Sequence, residues 1–147
     1  MLKHLSFIFT IVFVAVMPVT AQNADEVLNV ARRVNNYFVQ KWPDPTKDTF
    51  VGRRRPSSLW TRGVYYEGLL ALYSIDPQED YIKYVDDWAT YHKWTPRNGT
   101  ETTNADDQCC MQTYLDRYEM TGNQMMLDSC GANMEKQMSE EIGRAHV

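Results

Sequence analysis

The stretch LWTRGVYYEGLLALY, residues 59–73, has a counterpart 45 positions later in NADDQCCMQTYLDRY, residues 104–118. With that shift Leu70 falls on Leu115, Tyr73 on Tyr118, Tyr81 on Met126 and Val85 on Cys130. The turn at Asp76-Pro77 falls on Thr121-Gly122. A unit of this length, with one helix apolar nearly all round and one apolar on a single face, reads as a stacked helical hairpin. Two closures fit such a stack: an open solenoid, or a ring of inner helices sheathed by outer ones. The concave helix of an open solenoid keeps a wet face. VYYEGLLALY is apolar nearly all round, which favours the ring and burial on most faces. The expected fold class is all-α, a helical-hairpin toroid.

Five helical stretches are expected. The first runs from about Asp25 to Gln40, with Val27, Val30, Ala31, Val34 and Phe38 at helical spacing. Pro43 and Pro45 end it, and a polar loop leads to Pro56. The second spans about Ser58 to Ser74. The third, about Gln78 to His92, gathers Tyr81, Tyr84, Val85 and Trp88 on one face. The fourth begins in NADDQCC and ends at Gly122. The fifth, about Asn123 to Glu141, carries Met126, Leu127, Cys130 and Met134 on one side.

Residues 1–21 read as a signal peptide: Lys3 and His4, an apolar run from Leu5 to Val16, then Val19-Thr20-Ala21 as the cleavage site. The run is shorter than the ~20 residues that span a bilayer. Export without stable membrane insertion is therefore expected, and residues 22–141 form the domain. A net charge of −4, with no basic cluster beyond Arg53–Arg55, argues against nucleic acid as a partner. Those three arginines read as a solvated loop. Four tryptophans and nine tyrosines suit both a core and stacking platforms for sugars. Cys109, Cys110 and Cys130 read as buried free thiols, with a bridge to Cys130 the alternative in an oxidising compartment. His92 and His146 do not stand at metal-ligand spacing from them, so no metal site is expected.

The chemistry-bearing residues fall at the starts of the two inner helices. Trp60 and Arg62 open one, and Asp106 and Asp107 open the next, so both pairs project at one rim of the ring. Helix N-termini present free N–H groups there, which suits an anionic substrate. Asn104 reads as an N-cap and Asp107 as its capping-box partner. Asp106, roughly 100° around the helix, is left for acid chemistry or for holding a sugar hydroxyl. Trp60 reads as a stacking face or as ordinary packing. Arg62 reads as a fork for a substrate carboxylate, or as the partner of Asp106 or Asp107. Gly63 and Gly68 read as close helix contacts. Glu67, on a buried helix, needs a partner and reads as a structural hydrogen bonder or a site member. Asn98-Gly99-Thr100 matches a glycosylation sequon, a frequent chance match.

The paired motifs LWTRGVYYEGLLALY and NADDQCCMQTYLDRY resemble the family 105 glycoside hydrolases, the unsaturated rhamnogalacturonyl hydrolases. The resemblance covers about Asp25 to Met134 and implies part of an (α/α)6 barrel. Such a barrel of hairpins has about twelve helices, of which about five stand here. It implies a substrate that is an oligosaccharide with an unsaturated uronate, as left by pectin lyases on rhamnose. It also implies cleavage by hydration without metal or organic cofactor. By motif, Asp106 is similar to the family's first active-site aspartate and Trp60 to an aromatic position lining the pocket. Arg62 adjoins it, and Asp107 joins them in the expected substrate-binding set. The family's main general acid lies in a later tryptophan-rich motif that these residues do not contain. Residues 142–147, IGRAHV, look like read-through into a sequencing adapter. The reading is thus an N-terminal fragment, inactive and aggregation-prone or molten by itself. The leader looks like that of a Gram-negative bacterium and points to the periplasm. A related barrel enzyme is the first alternative, acting on unsaturated glycosaminoglycan disaccharides or as a sugar epimerase. The second is a non-catalytic exported helical protein that binds sugars.

Overall fold

A computed structural model describes residues 23–145, with side chains through 140. The leader read over 1–21 and the side chains of the tail lie outside the described residues. The chain is built from α1 (Ala24–Lys41), a hairpin of β1 (Thr49–Val51) and β2 (Arg53–Arg55), α2 (Trp60–Ile75), α3 (Glu79–Tyr91), α4 (Ala105–Gln108), α5 (Cys110–Thr121) and α6 (Met125–Ala145). It is all-α apart from the hairpin. α2 packs along α5, with α3 against α2 and α6 against α5.

Local chemistry explains most boundaries. Asn23 caps α1 by accepting from the Asp25 N–H at 3.1 Å, and Asp25, Glu26 and Lys41 complement its dipole. α5 ends where Gly122 takes a left-handed φ of 68°. The polar loop expected before Pro56 contains the antiparallel hairpin instead, with Thr49 opposite Arg55 and Gly52 at φ 68° in the turn. Asp48 pins it, accepting from Arg54 Nε at 2.6 Å and from the Ser57 N–H at 3.1 Å. The expected fourth helix is interrupted at Cys109. There the Asp107 carbonyl accepts from the Arg97 N–H at 3.1 Å and from Cys110 Sγ at 3.5 Å, outside the helical ladder. α6 runs on through Gly143 to Ala145, past the Glu141 boundary read from the sequence.

The core is aromatic. Tyr66, Trp88 and Tyr114 are fully buried, with Tyr66 stacked on Trp88 at 4.1 Å and Tyr114 tilted against it at 5.6 Å. Burying each such side chain contributes about 1.5–3 kcal/mol. The Trp88 indole donates to the Ser57 carbonyl at 2.9 Å, tying α3 to the segment that leads into α2. Arg117 forks onto Asp86 with two bonds of 2.8 Å and fastens α5 to α3. Arg32 forks onto Asp76 at 2.8 and 2.7 Å. That guanidinium, helped by Gln78, holds the Asp76 carboxyl well below the usual carboxylate range.

Several faces differ from the sequence reading. On α1 the inward residues are Leu28, Ala31, Asn35, Phe38 and Val39, while Val27, Val30 and Val34 stay 50, 43 and 64 % exposed. Asn35 holds a core position because the Tyr65 hydroxyl donates to it at 2.7 Å. α2 is not buried on most faces: Val64 and Ile75 lie exposed. On α6, Asn133 is buried and Met134 is exposed. Gly63 is the close contact expected, since a Cβ there would meet the Cys110 nitrogen at 3.1 Å. Gly68 is not, with open space where its Cβ would stand. The cysteines are free thiols, but Cys109 is only half-buried. Burial pushes the Cys130 thiol up to about 12. No described helix is long and apolar enough to cross a membrane.

Candidate active site

The close contact at Gly63 sets α2 against the junction between α4 and α5. Cys109 Sγ donates to the Trp60 carbonyl at 3.6 Å, and Asp106 stands one helical turn before Cys109. Trp60, the first residue of α2, is 41 % exposed. Asp106 is exposed in the first turn of α4, where its N–H donates to Asn104 Oδ1 at 2.8 Å. Its carboxylate makes no hydrogen bond or ion pair among the described residues. The negative charges of Glu67 and Asp106, after burial itself, push the Cys109 thiol up.

Asp107 is placed differently from its neighbour. It is buried, and its carboxylate accepts from Asn98 Nδ2 at 2.8 Å and Thr102 Oγ1 at 2.9 Å and pairs with Arg97 at 3.3 Å. It does not reach back to the Asn104 N–H as a capping box requires. Its structure-defined work is to hold the loop between α3 and α4, which winds through left-handed φ at Lys93, Trp94, Asn98 and Gly99. The Asn98 amide of the sequon is one of its donors. Asn133 clamps the same loop from α6, donating to the Thr100 and Thr102 carbonyls at 2.6 and 2.8 Å. Gln108 donates to Asn133 Oδ1 at 3.1 Å. Asn133, Arg97 and Asn98 therefore support the Asp106 turn. Sequence reasoning missed Arg97 and Asn133, because a lone polar residue in a loop or on an amphipathic helix carries no local signal.

Arg62 pairs with neither Asp106 nor Asp107. It is 4 % exposed, its Nη2 donates to the Lys47 carbonyl at 3.3 Å, and its guanidinium lies over Phe38 and Trp42 at 5.3 and 5.9 Å. It lines a cavity of about 340 Å³ between the hairpin and the start of α2, together with Trp42, Arg55 and Trp60. Arg55 was expected in a solvated loop; it is half-buried in this wall instead. A second cavity, of about 460 Å³, runs along α4 and α5 past Ala105, Gln108, Cys109 and Gln112 to Glu67. Glu67 is half-buried without a hydrogen bond among the described residues, contrary to the structural role favoured for it. Burial, then the charge of Asp116, raises its pKa. Such a carboxyl keeps its proton to higher pH than an ordinary glutamate.

The starts of α2 and α4 thus carry an exposed indole at Trp60 and an open carboxylate at Asp106. Residues 30–145 match the model of Glycosyl Hydrolase Family 88, and the chain belongs to that family. It is similar to a solved structure described as "Glycosyl hydrolase family 88 from Bacteroides vulgatus", at 26 % identity and a TM-score of 0.64. That similarity covers 78 % of this chain and 34 % of the other, so the chain spans about a third of that protein's length. No curated protein matches it.

Proposed function

We propose that this chain is the sector carrying the first active-site carboxylate of an unsaturated uronyl hydrolase. The substrate proposed is the galacturonyl-rhamnose disaccharide of rhamnogalacturonan, following the family 105 pattern. The family 88 match supports the reaction class, and the WTRG and NADDQ motifs support the narrower substrate. The observation that carries the reading is the Asp106 carboxylate, exposed in the first turn of α4 and without a hydrogen bond or ion pair among the described residues; the contact of Cys109 with the Trp60 carbonyl at 3.6 Å joins the end of α4 to the start of α2. In the reaction a carboxyl proton adds to one carbon of the enol-ether double bond. Water adds its oxygen to the other carbon and returns a proton to a carboxylate. The hemiketal so formed opens to a ketone and frees the ring oxygen as a hydroxyl on the anomeric carbon; that hemiacetal collapses to an aldehyde, breaking the bond to rhamnose and passing the hydroxyl proton to the leaving rhamnose oxygen. Trp60 stacks on the sugar and Asp106 touches the reacting uronate. Asp107 acts through the loop it holds, as a positioning residue. The chain spans about a third of the length of the family 88 structure it is similar to, so activity is proposed for a protein in which this sector is joined to further helices. Export to the periplasm is part of the proposal, resting on the leader sequence.

The test is Asp106→Asn in the protein carrying this sector, read as loss of the double-bond absorbance of the disaccharide. Turnover should fall about 100-fold or more with melting unchanged. Unchanged turnover would assign Asp106 to the helix start alone. Faster turnover of unsaturated glucuronyl disaccharides would move the substrate to the glycosaminoglycan class.

A further inference from the structure

Ser57 is a buried knot between three parts of the chain. It is 2 % exposed, and each of its polar groups is engaged. Its N–H donates to Asp48 Oδ1 at 3.1 Å and its hydroxyl to the Thr46 carbonyl at 2.9 Å, both at the base of the hairpin. Its carbonyl accepts from the Trp88 indole of α3, and its Oγ lies 3.0 Å from Nε2 of His92, the residue that caps the end of α3. Trp60, the first residue of α2, follows three positions on. A carbonyl can only accept, so the one hydroxyl hydrogen of Ser57 goes to Thr46. Oγ therefore accepts from His92, and Nε2 carries the hydrogen of the neutral ring. Nδ1 makes no hydrogen bond among the described residues, so it is the nitrogen that takes up a second proton. The same accounting rules Ser57 out as a nucleophile, because His92 donates to it and does not act as its base.

The surroundings oppose a charge on that ring. Burial lowers the His92 pKa, Asp48 of the hairpin base pulls it back up, and the Arg62 guanidinium of α2 lowers it again. Asp48 is itself taken by Arg54. Trp88 and Tyr91 of α3 meet the ring edge-on at 5.7 and 5.0 Å. A histidine whose charge is disfavoured in the fold takes its proton more readily once released, so its contribution to stability is present above about pH 6.5 and is lost as pH falls below it.

We propose that His92 and Ser57 form a pH-sensitive latch on the hairpin. The neutral ring clamps the hairpin base to α3, and the doubly protonated ring leaves Ser57 and lets the hairpin go. The hairpin supplies Thr49, Val51 and Arg55 to the wall of the 340 Å³ cavity beside Trp60, so the latch governs one side of that cavity. It goes beyond the hydrolase reading and holds whatever substrate is turned over.

His92 is the sole histidine among the described residues. Asp44 and Asp48 stay ionised well below neutrality, held below the usual carboxylate range by Thr46 and Arg54. Amide hydrogen exchange of the 147-residue chain is read by mass spectrometry at about pH 7.5 and about pH 5.5, corrected for the intrinsic effect of pH on exchange. Residues 46–57 should lose protection about threefold or more at the lower pH, while α5 holds. His92→Gln keeps a neutral donor and cannot gain charge, so its hairpin should stay protected at both pH values. His92→Phe keeps a ring beside Trp88 without the donor, so its hairpin should exchange fast at both, with helical circular dichroism intact. An acid loss in His92→Gln equal to that of the parent chain would overturn the latch. So would equal protection of the parent hairpin at both pH values, a hairpin already unprotected at the higher one, or a loss shared equally by α5. No turnover enters these readouts, so failure of the hydrolase reading leaves them unchanged.

Discussion

At the scale of single residues, two adjacent aspartates have opposite fates. Asp106 stands open at a helix start, and Asp107 is buried under Arg97, Asn98 and Thr102. One step of about 100° around a helix separates a solvent-facing position from a core-facing one. Removing the Asp107 carboxylate leaves three donors in a confined site. Asp107→Ala should therefore cost about 2–3 kcal/mol of stability, measured by urea unfolding. Asp106→Ala should shift the same unfolding curve by less than about 0.5 kcal/mol. A larger loss for Asp106 than for Asp107 would reverse the roles given to them.

At the scale of elements, the inner helices were legible because buried helices repeat their apolar pattern. Trp88, Tyr84 and Val85 fall on the predicted face of α3 for the same reason. Other features depend on partners remote in sequence. The valine stripe of α1 promised a core face, but Tyr65 draws Asn35 inward and turns that stripe outward. The hairpin escaped because three arginines in a row show no alternation, and its register is set by Asp48 and Gly52. The site divides along the same line. The positions of Trp60 and Asp106 at helix starts follow from the repeat, whereas the burial of Arg62 against Phe38 and Trp42 depends on where α1 ends. The glycines of α2 give a paired test. Gly63→Ala forces a Cβ to within 3.1 Å of the Cys110 backbone and should cost about 1–3 kcal/mol. Gly68→Ala meets open space and should gain up to about 1 kcal/mol from helix propensity. Thermal melts of the two variants should move in opposite directions; a shared direction would contradict the packing described.

At the scale of the whole molecule, the hairpin stack carries exposed apolar side chains on both flanks. Val27, Val30 and Val34 of α1 lie on one, and Met134 and Met138 of α6 on the other. In stacked hairpins each unit covers its neighbour, and an uncovered end needs a polar face to stay soluble. The chain should therefore bind a hydrophobic dye and self-associate while keeping its helical circular dichroism. The pair Val34→Lys and Met138→Lys should reduce both effects without loss of helix, and an unchanged dye signal would place the sticky surface elsewhere. Above that stability question stands the chemical one, whether the rim at Trp60 and Asp106 serves hydration of an unsaturated uronate. The most direct measurement is turnover of unsaturated galacturonyl-rhamnose in heavy water by the protein carrying this sector, with Asp106→Asn beside it. Hydration predicts that rhamnose is released, the double bond disappears, and one deuterium is fixed on a carbon that had carried it, with the variant slowed about 100-fold or more. Release of a sugar that keeps its double bond and carries no deuterium would contradict the account.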